Sequence, residues 1–200
     1  GTPATTAPTN LNSNGITVRT GNNVTVNNSY TADNFTVNGT LTISAGQTLT
    51  VFNGTFSPNM LVNTTGIVTN AGTITPTGTI SFVGNATYNQ NGGTVPAATW
   101  SATSNLNITF GASATLNGLA QSFGNMTYTT AGAFTMTLGQ SPTIQGNLTV
   151  TGATGTFAIA ANIVNLTGNL SGTGIISLTT GTLNIGGNNT STGTFTAGTG

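Results

Sequence analysis

Only two side chains in this sequence carry a full charge, the cation Arg19 and the acid Asp33. The chain of 200 residues has no histidine and no cysteine, and charged residues make up 1% of it, against about 25% in an ordinary soluble domain. Glycoside hydrolysis uses two carboxylates, a serine nucleophile needs a neighbouring base, and calcium needs several acidic ligands. Binding a nucleic-acid backbone takes several lysines or arginines. The composition therefore predicts a protein that is not an enzyme, with no catalytic, cofactor-binding or metal-binding residue and no nucleic-acid partner.

Arg19 and Asp33 lie 14 positions apart in the N-terminal region. One interpretation is a salt bridge, within a subunit or between subunits, that fixes the register of the fold. The other is two solvated surface charges, because exposed ion pairs contribute little stability. In either case the net charge of zero removes the repulsion that keeps monomers apart, so we expect the protein to associate.

The pattern Asn-x-Ser/Thr is frequent in the sequence. In a secreted protein such an asparagine is a candidate acceptor for a glycan, which would supply the solubility that charge does not. A chain rich in Asn and Thr also forms many such triplets by accident, so a single one is more often unmodified. The candidates are Asn23, Asn34, Asn38, Asn53, Asn63, Asn85, Asn107, Asn125, Asn147, Asn165 and Asn169, and further triplets begin at Asn27, Asn188 and Asn189.

Thr-x-Thr pairs recur, as at Thr127/Thr129 and Thr149/Thr151. Stacked in register on a flat face, they would resemble the threonine arrays of ice-binding solenoids. The alternative is that threonine is simply a good outward-facing strand residue.

Aromatic residues cluster in the middle of the chain, at Trp100, Phe110, Phe123, Tyr128 and Phe134. On a surface they would form a platform for a sugar ring. More often, such residues fill a core or cover its edge.

The elements that would position these residues repeat along the chain. A Gly-Asn-(Leu/Met)-(Thr/Ser) phrase begins at Gly124, Gly146 and Gly168, with a spacing of 22 residues each time. The first half repeats less regularly, in consecutive blocks of similar length at 34–54, 55–75 and 76–96. A repeat of this length indicates one supersecondary unit per period.

Each repeat holds short runs in which apolar and polar residues alternate, punctuated by Gly and Asn. This pattern predicts strands at 35–37, 41–43, 49–51, 134–138, 147–150 and 182–185. The inward side is predicted to bury Phe35, Val37, Leu41, Ile43, Leu49 and Val51, and in the 22-residue repeat Leu148 and Val150. No stretch long enough for three helical turns is free of Gly or a Thr/Asn pair.

These features predict an all-β fold, a parallel β-solenoid with coils of about 21 residues. Asn and Gly suit its corners because they adopt left-handed backbone conformations at low cost, and stacked Asn side chains would form amide ladders. Roughly nine coils at about 4.8 Å each would make a rod about 45 Å long. The alternative is a β-sandwich, pilin-like subunit completed by a strand donated from its neighbour.

Residues 1–15 contain Pro3 and Pro8 and are predicted to be an extension or linker arm, followed by a solenoid domain at 16–200. No signal peptide is visible, and the first ten residues resemble a mature N-terminus left after removal of one, or a linker. No apolar run approaches the 18 or so residues of a membrane span. The last residues form no charged or helical cap, so we expect either the next subunit or a continuation of the chain beyond residue 200 to protect that end.

The phrases "GNLTVTG" (146–152), "GTLNIGGN" (181–188) and "GTFTAGTG" (193–200) resemble the low-charge Gly/Thr/Asn repeats of large secreted β-strand-repeat surface proteins. This bacterial and archaeal group includes autotransporter-like and haemagglutinin-like adhesins and other extracellular filament proteins. The resemblance covers residues 100–200 best and implies a β-solenoid outside the cell that serves adhesion, sheath or filament construction. It implies no catalytic residues.

We therefore expect an extracellular structural protein at the cell surface, a subunit of a self-assembling filament, sheath or surface fibre. Its partner would be itself, in a head-to-tail homopolymer, and cell-surface glycans are a second candidate partner. The alternative is a monomeric adhesin or ice-binding module that forms part of a larger surface protein.

Overall fold

The structure is a computed structural model that describes residues 15–130 and 132–198. Within these residues the chain is all-β, without a helix, and winds into a β-solenoid of about nine coils of roughly 20 residues. All paired strands run parallel. The predicted solenoid is thus confirmed. The β-sandwich alternative is wrong, because a sandwich is built from antiparallel strands.

A complete coil has three strands, one on each of three sides that we name A, B and C in chain order. Side A consists of β1 (Ile16–Val18), β4 (Phe35–Val37), β7 (Met60–Val62), β10 (Ile80–Phe82) and β12 (Thr99–Trp100), then β15 (Ser122–Phe123), β18 (Thr143–Ile144), β21 (Ile163–Leu166) and β24 (Thr182–Ile185). Side B consists of β2 (Asn23–Val26), β5 (Thr40–Ile43), β8 (Ile67–Asn70), β11 (Thr87–Gln90), β13 (Asn105–Thr109), β16 (Asn125–Thr129), β19 (Leu148–Thr151) and β22 (Leu170–Ser171). Side C consists of β3 (Tyr30–Ala32), β6 (Thr48–Val51) and β9 (Thr73–Pro76), then β14 (Ala114–Leu116), β17 (Thr135–Leu138), β20 (Thr156–Ala158), β23 (Ile175–Thr179) and β25 (Phe195–Ala197).

The alternation of apolar and polar residues decides which way each strand faces. In β19, Leu148 and Val150 point inward and are fully buried, while Thr149 lies between them on the outer face. The residues predicted to point inward from the earlier strands are buried as well, which confirms that assignment: Phe35, Val37, Leu41, Ile43, Leu49 and Val51. Burying these side chains removes apolar area from water and is the main stabilising contribution to the fold.

The predicted 22-residue repeat corresponds to one coil. The N–H of Gly146 donates to the carbonyl of Gly124 at 2.9 Å, and the N–H of Gly168 donates to that of Gly146 at 3.0 Å. A side chain at Gly168 would overlap the Gly146 carbonyl. Glycine therefore stacks on glycine at this corner because the backbones of successive coils come too close for a Cβ atom.

The first half of the solenoid is less regular. Each of the three predicted blocks holds one coil, but the step along side B is 27 residues from Thr40 to Ile67 and 20 from Ile67 to Thr87. The longer step contains a loop, residues 52–59, between β6 and β7. Coils of unequal length stack in register because the additional residues leave the wall as a loop.

The middle of the solenoid is filled by aromatic side chains. The rings of Phe82 and Trp100 stack with their centroids 4.2 Å apart. Tyr88 lies edge-on to Trp100 at 5.9 Å, and Phe123 packs against the other side of the indole at 5.1 Å. Such ring pairs add stability beyond the area that they bury.

At the level of these aromatic rings, the strand pairing of sides A and C is interrupted, whereas side B continues through eight strands. Side A breaks between β12 and β15, and side C between β9 and β14, where a single bridge joins Thr94 to Asn117. The Gln121 side chain lies in the break. Its Oε1 accepts from the Ala98 N–H at 2.9 Å and from the Trp100 Nε1–H at 3.1 Å. Its Nε2 donates to the carbonyls of Pro96 at 3.1 Å and Gly118 at 2.6 Å.

The predicted N-terminal arm lies outside the described residues except for Gly15, and β1 begins at Ile16. Among residues 15–130 and 132–198 there is no helix long and apolar enough to cross a membrane.

Candidate functional site

The outer face of side B carries the most regular surface of the molecule. One residue from each strand aligns in a single column along the axis: Thr25, Thr42, Thr69, Asn89, Asn107, Thr127, Thr149 and Ser171. Every member is a neutral hydrogen-bonding side chain. The pleat puts these residues outside because their neighbours in each strand face the core.

Side chains in this column bind one another along the axis. Asn89 Nδ2 donates to Thr69 Oγ1 at 3.2 Å, and Asn107 Nδ2 donates to Asn89 Oδ1 at 3.0 Å. Thr149 Oγ1 and Ser171 Oγ share a hydrogen bond of 3.1 Å. These polar groups connect coils and do not converge on a shared point, which is the arrangement of a structural ladder.

A second ladder follows the corner where the Gly-Asn phrase lies. Asn125 Oδ1 accepts from the N–H of Asn147, and Asn147 Oδ1 accepts from the N–H of Asn169, both at 2.9 Å. Asn169 Oδ1 accepts from the N–H of Asn188 at 2.8 Å. Here the asparagine side chain of one coil accepts a hydrogen bond from a corner N–H of the next coil. This contact explains why asparagine recurs at this position of the repeat.

The Thr-x-Thr pairs form a small array. Thr127 and Thr129 align with Thr149 and Thr151 on neighbouring strands of side B. Thr129 Oγ1 and Thr151 Oγ1 lie 3.0 Å apart and share a hydrogen bond. The preceding strand β13 has Asn107 in place of the first threonine, so the array of complete pairs spans two coils here.

The predicted glycan acceptors divide into two groups. Those with exposed side chains are Asn23, Asn53, Asn85, Asn147, Asn165 and Asn169; those that are half-buried are Asn34, Asn38, Asn63, Asn107 and Asn125. In three of the half-buried group, Asn63, Asn107 and Asn125, Nδ2 donates to an asparagine of a neighbouring coil at 2.6–3.2 Å. Since the glycan would be attached to that nitrogen, the exposed group offers the better acceptors, and glycosylation stays a prediction.

The two charged residues lie at different corners of the solenoid. Arg19 is exposed where β1 leads to β2, and Asp33 is half-buried where β3 leads to β4. The carboxylate of Asp33 lies against Gly54 of the next coil. Within the described part of the chain no ion pair joins Arg19 to Asp33, and a pair between subunits stays a prediction.

Of the two interpretations of the mid-chain aromatic residues, core filling is confirmed and the sugar platform is wrong. Trp100, Phe110, Phe123 and Tyr128 are buried and Phe134 is half-buried. Trp100, Phe123 and Tyr128 occupy inward positions of their strands. Burial raises the pKa of both Tyr88 and Tyr128. Asn70 Nδ2 donates to the Tyr88 hydroxyl at 2.9 Å, so this buried phenol is satisfied inside the core.

The exposed aromatic residues on the flank lie instead in the 52–59 loop, which sequence reasoning missed. Phe52 and Phe56 are 42% and 54% exposed. The loop begins at a hydrogen bond of 2.8 Å from the Phe52 N–H to the Ala32 carbonyl, and it ends at the buried Asn59, whose Oδ1 accepts from the Thr79 N–H at 2.8 Å. The phrase "VFNGTFSPN" (51–59) breaks the alternation and was the available signal.

Both ends of the described solenoid expose residues that belong to the inward rows. In the first coil Val24 is 44% exposed, although Leu41, which aligns with it in the second coil, is 4% exposed. In the last coil Phe195 is 40% exposed, although Ile176 beneath it is fully buried. The difference arises because, in the part of the chain that the structure describes, no coil lies on the outer side of either residue.

At the first coil this exposed interior forms an open apolar cavity of about 240 Å³. Its rim and walls include Ile16, Val18, Val24, Val26, Tyr30 and Ala32. The wall is nearly devoid of polar groups, so it suits an apolar side chain and offers little to a polar ligand.

Comparison of the chain with protein-family models, curated proteins and solved structures gave no match. Two ladders tie coil to coil, the mid-chain aromatics fill the core, and the largest concentration of exposed inward-facing apolar residues is at the two ends. Chemically, this arrangement supports stacking of further β-structure along the axis.

Proposed function

We propose that this protein is a structural protein of the cell exterior, a subunit of a filament, sheath or surface fibre that has itself as its main partner. It acts by forming a stiff shaft of zero net charge and carries out no catalysis. The group of secreted surface proteins that its repeats resemble supplies the expectation of an extracellular location.

The observation that carries this proposal is the use that the chain makes of its polar side chains. Along side B and along the Gly-Asn corner, hydroxyl and amide groups bond to the next coil over distances of 2.8–3.2 Å. A binding or catalytic site instead gathers polar groups around one point in a pocket. Axial ladders resemble those that stabilise stacked β-structures in fibres.

Electron microscopy of the purified 200-residue chain and antibody labelling of intact source cells test the proposal together. We expect filaments or sheets in the purified material and labelling of unpermeabilised cells. A cytoplasmic protein probed in the same cells is the control for cell integrity. Labelling that appears only after permeabilisation would refute the extracellular role.

Ice binding is the second candidate function. The aligned pairs Thr127/Thr129 and Thr149/Thr151 on the outer face of side B favour it. Thermal hysteresis of the purified chain measures this activity, and Thr149→Tyr would abolish it by disrupting the flat face. Absence of hysteresis in the wild type would eliminate this candidate and leave the structural role intact.

A further inference from the structure

Resting on the structural role proposed above, we infer that the last described coil of one copy stacks on the first described coil of the next, so that the three sides continue across the joint. The partner surface at one end comprises β1, β2 and β3. The surface at the other end comprises β24, β25 and the bridge residue Asn189 between them.

The first reason is the state of the strand edges. Among residues 15–130 and 132–198, β1, β2 and β3 each pair with one neighbour, on the side of the second coil, and β24 and β25 each pair with one neighbour below. Within this part of the chain, the outward edge of each strand therefore has N–H and C=O groups without a strand partner. Such edges are templates for adding another strand.

The second reason is the match between the two terminal strands of side C. β3 has the sequence Tyr-Thr-Ala (30–32) and β25 has Phe-Thr-Ala (195–197). Paired in parallel register, they would set ring beside ring, threonine outside beside threonine, and alanine beside alanine. Aligned rings of this kind already occur inside the solenoid, where Phe82 of β10 stacks on Trp100 of β12.

The third reason is the fit of apolar groups on the other sides. On side A, Leu183 and Ile185 of β24 are the inward residues at one end, and Ile16 and Val18 of β1 are those at the other. The cavity of about 240 Å³ at the first coil exceeds the roughly 150 Å³ apolar cavity that holds a benzene molecule. It therefore has room for the Phe195 ring. Side B contributes least, since its last coil has only the bridge at Asn189.

A second copy is the occupant that the structure favours, because every internal coil is covered by a coil of the same kind. The parallel pairing, the inward apolar rows and the coil spacing all continue without change if another solenoid follows. A zero net charge adds no repulsion as copies accumulate.

Sedimentation-velocity ultracentrifugation of the 200-residue chain over a range of concentrations tests the joint with two variants. Phe195→Asp places a charge on one end and Val24→Asp on the other, and burial of either charge in the joint is unfavourable. We expect polymers from the wild type and monomers from each variant alone. An equimolar mixture of the two variants should give dimers and nothing larger, because it contains one intact joint surface of each kind.

Ile163→Asp is the matched control, because Ile163 is an exposed apolar residue, 47% accessible, on the flank of side A. This variant should polymerise like the wild type. Circular dichroism establishes that each variant is folded, and Leu183→Asp and Ile16→Asp replace any end variant that is not. A monomeric wild type, or polymers from both end variants, would refute the proposed joint between the ends. The surface labelling described above reports on the structural role separately, and polymers that persist in both variants would leave that role standing.

Discussion

The middle and the two ends of the solenoid are built from the same alternating pattern but reach different degrees of burial. In the middle, Trp100 lies between the rings of Phe82 and Phe123 and is buried. At the ends, Val24 and Phe195 also face inward but are 44% and 40% exposed. In the first coil Val18, Val26 and Ala32 are buried although only one described coil lies beside them, so the exposure is confined to particular inward positions. Exposure at Val24 and Phe195 identifies apolar surface that another coil would cover.

Replacing the central ring should have the largest effect on stability. Trp100→Ala removes the indole from between two aromatic rings and also a donor to Gln121, so we expect a loss of about 4 kcal/mol in the free energy of unfolding. Phe195→Ala at the end, measured below the concentration of assembly, should lose about 1 kcal/mol or less. Urea denaturation followed by circular dichroism measures both, and equal losses would contradict the contrast between middle and end.

A glycine in the middle should tolerate a side chain less well than one near the N-terminal end. Gly118 has a φ of 81°, and an added Cβ would overlap the Val95 carbonyl. Gly118→Ala combines backbone strain with overlap, so we expect a loss of about 3 kcal/mol. Gly46 has a φ of 75° but open space around it, so Gly46→Ala should lose about 1 kcal/mol from backbone strain alone. Thermal unfolding measures both variants. A larger fall in melting temperature for Gly46→Ala than for Gly118→Ala would contradict the close packing that we infer for the middle coils.

The Gln121 side chain forms hydrogen bonds where sides A and C are interrupted. Replacing it should cause the next largest loss of stability. Gln121→Met leaves the Ala98 N–H, the Trp100 Nε1–H and two carbonyls without the amide. We expect a loss of about 2 kcal/mol, the cost of leaving such groups unsatisfied. Gln145→Met is the control, because that side chain is exposed. The denaturation midpoint should fall for Gln121→Met and not for Gln145→Met. Equal falls in the two variants would contradict the role that we assign to Gln121.

Alkaline pH should act on the middle through its buried phenols. The pKa values of Tyr88 and Tyr128 are raised in the folded state, chiefly by burial. The unfolded chain then releases these protons first, so the contribution of the phenols to stability is constant below about pH 10 and falls above it, with a limiting slope of about 1.4 kcal/mol per pH unit from Tyr88. Tyr88→Phe should reduce the slope of unfolding free energy against pH above pH 10. An unchanged slope would show that Tyr88 titrates alike in both states.

Much of the fold could be predicted from the sequence because local sequence patterns determine it. The Gly-Asn phrase at Gly124, Gly146 and Gly168 predicts the coil length, since each glycine stacks on the previous one. The alternation in residues such as Leu148 and Val150 predicts which side chains are buried. Both signals depend on neighbours that are close in sequence or repeat at a fixed spacing.

The features that the sequence left open or did not reveal depend on contacts between coils of unequal length. The burial of Trp100 follows from the alignment of β12 with β10, and that alignment follows from a step of 18 residues that no repeat in the sequence reveals. Gln121 has no sequence signature, because its role arises from two sides being interrupted at the same level. The loop with Phe52 and Phe56 likewise projects from the one coil that is longer than its neighbours.

The axial repeat of oriented filaments tests the central claim most directly. X-ray fibre diffraction or electron cryomicroscopy of filaments formed by this 200-residue chain should show a spacing of about 4.8 Å along the filament axis. These filaments should also show a subunit repeat of about 43 Å, which corresponds to roughly nine coils at that spacing. Filaments whose strands lie parallel to the axis, or a protein that remains as separate rods about 43 Å long at every concentration, would contradict stacking through the ends.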